Sequence, residues 1–206
     1  MNKSELRKIY LQKRRELDPK DFALKTNDIT SAFSALDLSS VYYLHLFYPI
    51  IGKAELSTLK IAAFVRLEYP QINLVLSKSN FTDHSLNHII WTEDTPLAVN
   101  NYGITEPESG VEVHPKQIDL VLIPLLVFDL QGYRVGYGKG FYDRFLSQCR
   151  PDTKKIGLSF FDPINQIKDI DPYDVKMDLC ITPEKIWDFK AGNYSGLKSS
   201  STKTGQ

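Results

Sequence analysis

Residues 119–146 read DLVLIPLLVFDLQGYRVGYGKGFYDRFL, and the fold class turns on them. After Asp119 the run to Ile123 is apolar at every position. A strand with both faces apolar suits a parallel sheet covered by helices on each side. Pro124 ends the most regular part of the run, and glycines then recur at 132, 136, 138 and 140. They mark a loop. Beyond them Phe141, Phe145 and Leu146 recur at helical spacing, which predicts a helix over 140–149 with an inward apolar face. Strand, glycine-rich loop and helix in this order belong to an α/β sheet.

The flanks agree with that unit. At the chain start Leu6, Tyr10, Lys13 and Leu17 share one helical face, and Lys3, Arg7 and Arg14 share another. Asp18 as N-cap and Pro19 at the first helical position start a second helix, whose stripe is Phe22, Ile29, Phe33 and Leu36. Residues 41–47, VYYLHLF, read as a strand from β-branched and aromatic content. A loop over 48–57 carries Gly52 and Glu55, and a helix is expected over 58–67. Short strands are expected at 73–77, 88–91 and 155–160, with the last at 179–182. Residues 92–117 hold three Pro and two Gly and read as loop. The expected architecture is one α/β domain over 1–191, a mostly parallel central sheet flanked by helices in three layers. The Ser-, Lys- and Gly-rich stretch 192–206 is expected to be a disordered tail.

Composition narrows the function classes. The chain has 206 residues, with 25 Lys+Arg against 25 Asp+Glu and a formal charge of zero. At about 150 residues per domain this is one domain. Hydrophobic content of 42% supports a packed core rather than a disordered chain. A neutral chain has no overall basic field, so nucleic acid is not an expected partner. No apolar run approaches the roughly 20 residues of a membrane span, and the start MNKSELRKIYLQKRREL lacks the apolar core of a signal peptide. Cys149 and Cys180 do not suggest a disulfide framework. A cytoplasmic protein with reduced thiols, no membrane contact and a monomeric state is expected.

The glycine loop is also the strongest chemical signal. Its glycines can expose successive N–H groups, the following helix start adds donors and partial positive charge, and Arg134 and Lys139 add full charges. These are the parts of a phosphate cradle. The stretch matches neither G-x-x-x-x-G-K-[ST] nor the spacing of G-x-G-x-x-G, and a glycine-rich turn without a ligand is the competing reading. Asp143 lies in the first helical turn, either complementing the helix dipole or ligating Mg²⁺ beside phosphate. A second carboxylate could come from Asp169, Asp171, Asp174 or Asp178. His84 and His88 are four apart without a third ligand nearby, and a structural role is the better reading, as it is for His45. Tyr42, Tyr43, Phe47 and Tyr48 could offer a wall on which a flat ligand stacks, with core packing the simpler role.

The segment from Pro124 through Leu146, ending GYGKGFYDRFL, resembles the signature of the 5-formyltetrahydrofolate cyclo-ligase (5,10-methenyltetrahydrofolate synthetase) family. Three weaker patterns match in order: K-x-x-L-R at Lys3 to Arg7, E-x-x-T at Glu55 to Thr58, and D-x-x-x-D at Asp174 to Asp178. The resemblance runs over about residues 3–182, loosely in 78–116. It implies an enzyme that uses ATP and Mg²⁺ to convert 5-formyltetrahydrofolate, with or without a polyglutamate chain, to 5,10-methenyltetrahydrofolate. Under it, ATP is bound by the segment Lys3, Ser4, Glu5, Leu6 and Arg7 and by the loop Arg134, Val135, Gly136, Tyr137, Gly138, Lys139, Gly140, Phe141 and Tyr142. Lys139, Arg134 and Arg7 are the implied catalytic charges, and Asp143 and Asp174 the Mg²⁺ ligands. Folate falls to Ile50, Glu55 and the loop positions Tyr137, Gly138, Lys139, Gly140 and Phe141. Two positions depart from the pattern: Tyr137 stands where Arg is common, and Phe141 where Tyr is commoner. A non-catalytic nucleotide- or folate-binding module, and a sugar-phosphate isomerase or acyl-transferase on a similar sheet, are the alternatives.

Overall fold

The computed structural model describes residues 1–50, 52–191 and 193–196. Among the described residues the helices are α1 Lys3–Arg15, α2 Pro19–Ser34, α3 Leu59–Glu68 and α4 Phe141–Gln148. The strands are β1 Tyr43–His45, β2 Asn73–Asn80, β3 Ser85–Ile90, β4 Leu97–Val99, β5 Thr105–Pro107, β6 Leu120–Pro124, β7 Val127–Phe128, β8 Arg134–Val135, β9 Lys154–Leu158, β10 Leu179–Ile181, β11 Lys185–Asp188 and β12 Asn193–Gly196. Eight strands form one sheet in the order β12-β11-β10-β9-β6-β1-β2-β3. The central five, β10 to β2 in that order, are parallel. The edge strands β3, β11 and β12 are antiparallel to their neighbours.

Alternation along the strands builds the layers. Leu44, Leu74, Leu76, Leu120 and Leu122 point to one face, against Ile29 and Phe33 of α2 and Ile61 and Val65 of α3. Val75, Val121 and Ile123 point to the other, against Phe145 and Leu146 of α4. The expected three-layer α/β domain is therefore what forms. The apolar run at 120–123 is explained by it, because neither face of β6 meets water.

Helix α1 sits apart from both layers. Asn2 and Glu5 cap it reciprocally: the Asn2 side chain accepts the Glu5 N–H at 2.9 Å, and the Glu5 carboxylate accepts the Asn2 N–H at 3.0 Å. Such a box satisfies donors that a helix start leaves free. Leu6 and Tyr10 then pack against Leu126, Val127, Val135 and Ile167. That contact fixes α1 over the β7–β8 hairpin, just beyond the carboxyl end of β6.

Several expectations shift. The strand expected over 41–47 is paired only at Tyr43–His45, although Leu46 and Phe47 stay buried. The expected loop 92–117 contains the β4–β5 hairpin and a 3₁₀ turn at Pro115–Gln117. The glycine loop opens with the short β7–β8 hairpin. β10 is not the last strand, since β11 and β12 continue the sheet antiparallel. Part of the segment expected as tail from 192 is thus paired at Asn193–Gly196, while 192 and 197–206 lie outside the described residues.

Candidate active site

From β1 the chain passes through α3 to β2, then later returns to β6 on the other side of β1. The loops leaving β1 and β6 diverge, and such a switch point opens a crevice at the carboxyl ends of the strands. A cleft at that edge is lined by Phe47, Pro124, Leu158 and Phe160 near the ends of β1, β6 and β9, and by Arg14 and Glu55. The loop after β1 is anchored by the Thr58 hydroxyl, which donates to the Phe47 carbonyl. This brings Glu55 back over the strand ends.

Glu55 is 6% exposed and both its oxygens are held. One accepts the Ile50 N–H at 2.9 Å and the other accepts the Tyr137 hydroxyl at 3.0 Å. Burial raises the Glu55 carboxyl above its ordinary range, opposed by the Ile50 N–H, the Arg14 charge and the Tyr137 hydroxyl. Burial and then the Glu55 charge push the Tyr137 phenol upward, which keeps it a hydrogen-bond donor. Arg14 donates to the phenol oxygen from α1. Its Nε donates to the Lys53 carbonyl at 3.0 Å.

The glycine loop wraps beside α1. Arg7 Nε donates to the Gly136 carbonyl at 2.9 Å. Gly138 has φ +91°, and a Cβ there would lie 2.9 Å from the Arg7 guanidinium carbon. Only glycine takes this backbone without strain. Lys139 is exposed, and its ammonium has no ion pair or hydrogen bond among the described residues. Gly140, with φ +71°, caps α4.

Acidic groups close the other side. Arg134 bonds Asp143 at 2.8 Å and the Val175 carbonyl at 2.5 Å, while the Val175 N–H donates to Asp143 at 3.1 Å. Lys3 pairs with Asp174, which also accepts the Asp171 N–H at 2.7 Å. Asp143 makes its bonds through Oδ1 and Asp174 through Oδ2. Among the described residues the second oxygen of each carboxylate has no protein partner. No cluster of three or more metal-ligating side chains occurs among the described residues. Two carboxylates with free oxygens, completed by phosphate and water, nevertheless fit Mg²⁺, which rarely needs an all-protein cage.

A model of the 5-formyltetrahydrofolate cyclo-ligase family matches residues 1–183. The chain belongs to this family. A 5-formyltetrahydrofolate cyclo-ligase of Mycoplasma genitalium is 32% identical over 183 residues, covering 88% of this chain and 98% of the relative. The family enzyme of Haemophilus influenzae is 44% identical over 83 residues, 39% of this chain and 44% of the relative. A solved 5,10-methenyltetrahydrofolate synthetase from Aquifex aeolicus superposes with a TM-score of 0.77 at 27% identity, over 98% of this chain and all of that one. The enzyme of that name from Mycoplasma pneumoniae gives 0.69 at 28% identity, over 89% of this chain and all of that one. The chain is thus a ligase of folate metabolism, and the binding-module and isomerase or acyl-transferase readings give way to the cyclo-ligase family.

The residues singled out for this family separate by environment. Lys3, Arg7, Arg134, Lys139, Asp143 and Asp174 gather around the glycine loop and the 171–175 turn, and Glu55 and Tyr137 meet across the crevice. Within 3–7, Leu6 is core and Glu5 is engaged in the cap, while Ser4 is exposed. Val135 is core, and Ile50 contributes its N–H to Glu55. Phe141 packs edge-on against Phe81 at 5.4 Å, and Tyr142 lies 5.9 Å from His45. Of the aromatic wall considered at 42–48, Phe47 lines the cleft, while Tyr42 is exposed and Tyr48 meets Trp91 at 6.0 Å. His84 sits in a turn and His88 in β3, so they do not form a helical metal pair. Arg14 matches none of the family patterns, and the fold buries it. Its position on the Lys3–Arg7 face was legible, whereas its burial was not.

Proposed function

We propose that the crevice binds Mg-ATP and 5-formyltetrahydrofolate side by side, with the glycine loop over the triphosphate and Glu55 on the folate. The observation that carries this reading is the hydrogen bond from Tyr137 to Glu55, which joins the glycine loop to the loop after β1 at the switch point. Lys139, Arg7, Arg134 and Lys3 are the cations within reach of phosphate. In the structure Lys3 and Arg134 are paired with Asp174 and Asp143. Phosphate and a divalent cation can take over those partners together. Asp143 and Asp174 would hold Mg²⁺, which supplies charge neutralisation on the phosphates when bound.

A formyl oxygen is a poor leaving group. Its attack on the γ-phosphorus breaks the bond to ADP and forms an imidoyl phosphate. N10 then attacks the activated carbon, the ring closes, the N10 proton is lost and the C–O bond breaks to release phosphate. Positioning and charge stabilisation are the protein's contributions, as in other phosphoryl transfers. Glu55 accepts the folate N–H donors in charge-assisted hydrogen bonds. No side chain has to become covalently attached. The enzyme is read as a cytoplasmic monomer.

The test is a direct assay. Purified protein with Mg-ATP and 5-formyltetrahydrofolate is expected to produce the conjugated methenyl product by absorbance, with one ADP and one phosphate released per turnover. Turnover unaffected by omission of ATP, or by chelation of Mg²⁺, overturns the proposal.

A further inference from the structure

Arg14 is the buried cation that the function so far leaves unused. It is 3% exposed, seven residues beyond Arg7 on the same helix. Seven residues are about two helical turns, so the two side chains project along one face. Arg7 and Lys3 reach outward to the loop and the acidic turn, whereas Arg14 turns into the protein. Its guanidinium carbon lies 5.6 Å from the Tyr137 ring centre. It forms no salt bridge with a carboxylate among the described residues. A buried guanidinium left without charge compensation is costly. The nearest compensation comes through a phenol: Arg14 donates to the Tyr137 oxygen, and the Tyr137 hydroxyl donates to Glu55.

A phenol is suited to this because its oxygen accepts while its hydrogen donates. In a low-dielectric setting the two bonds polarise each other, so the chain transmits charge and direction together. Three separate segments meet here: α1, the 53–55 turn and the glycine loop. We propose that Arg14, acting through the Tyr137 hydroxyl, is a positioning residue for Glu55 in folate binding. It rests on the reading of Glu55 as the folate carboxylate. The Arg14 charge reaches the site from α1, and the phenol converts it into a directed hydrogen bond.

Steady-state kinetics of the full chain, varying folate and ATP separately, test the role. Tyr137→Phe keeps the ring and removes the hydroxyl. It is expected to raise KM for 5-formyltetrahydrofolate about tenfold, the scale of one charge-assisted hydrogen bond, and by clearly more than it raises KM for ATP. Arg14→Gln is expected to do the same, and Arg14→Lys to recover part of the loss, since a lysine can reach one of the two acceptors. Thermal unfolding identifies a variant that fails to fold, and Tyr137→Phe then decides. If Glu55→Gln raises the folate KM but Tyr137→Phe and a folded Arg14→Gln do not, the relay is overturned while the site reading stands. Equal rises in the folate and ATP constants also overturn it. If Glu55→Gln leaves the folate KM unchanged, the placement of folate itself fails.

Discussion

Two clusters of buried titratable side chains lie close to β1, and they obey opposite rules. Glu55, Tyr137 and Arg14 gather beyond its carboxyl end and are joined by hydrogen bonds. His45 and His88 lie within the sheet, with rings 5.3 Å apart, and are packed against Phe145 at 4.8 and 4.0 Å. The Nδ1 atoms of both histidines are buried without a hydrogen-bond partner among the described residues. Burial and the neighbouring His88 hold His45 well below the usual histidine range. Burial, then His114, lowers His88 to about 4. The histidines therefore favour the neutral ring and pack as aromatics, His45 keeping one side-chain hydrogen bond, between Nε2 and Ser77 Oγ at 2.7 Å. The difference is one of position: loop ends at a switch point can bring charges from distant segments together, whereas the middle of a covered sheet favours uncharged groups, satisfied at most by a neighbouring strand as His45 is by Ser77.

The contrast can be broken at its functional side first. Lys139→Ala removes an exposed ammonium with no protein partner, so kcat/KM for ATP is expected to fall about a hundredfold, the scale of a phosphate clamp acting in the transition state. The midpoint of thermal unfolding should remain within about 1 °C, because the side chain supports no packing. A large loss of stability with unchanged ATP kinetics would make the loop structural instead.

Gly138→Ala is expected to have a smaller effect. The new Cβ meets the Arg7 guanidinium at 2.9 Å, which must swing away and release the Gly136 carbonyl. KM for ATP should rise about tenfold, while the left-handed backbone costs about 1 kcal/mol of stability, read by chemical denaturation. An unchanged KM for ATP would separate Arg7 from the nucleotide.

The histidine side sharpens the comparison through pH. His88 has an ordinary value of 6.5 and a folded value of about 4. The unfolded chain binds the proton first as pH falls, so stability is complete above the ordinary value and is lost towards the folded one. The expected contribution is at most about 1.4 kcal/mol per pH unit per residue in that window. His88→Leu should flatten the slope between pH 6.5 and 4 relative to wild type, leaving kinetics at neutral pH close to unchanged. Urea unfolding across pH measures it, and identical slopes in the two proteins would show that the ring is not held neutral.

Much of this molecule is legible in its sequence. The strand at 120–124, the glycine loop and the helix at 141–148 follow from apolar spacing and turn chemistry over short distances in the chain. The Asp18–Pro19 start of α2 was equally local. The β4–β5 hairpin was missed because Pro and Gly suggest loop while pairing supplies the strands. β11 and β12 were missed because antiparallel edge strands gain their order from a neighbouring strand. At the site, Lys3, Arg7 and the glycine loop came from motifs, but Arg14 carried no motif.

The sequence by itself determined an α/β sheet with a cationic glycine loop, because period, turn residues and side-chain charge are properties of short segments. Tertiary structure decided which charges share a site. Tyr137 is 123 positions from Arg14 and 82 from Glu55. Such contacts are set by strand order, which places the loops after β1 and β6 side by side, and by the packing of Leu6 and Tyr10, which turns α1 so that Arg14 faces inward. A hydrogen bond of about 3 Å acts only across that assembled distance, and no local pattern encodes it.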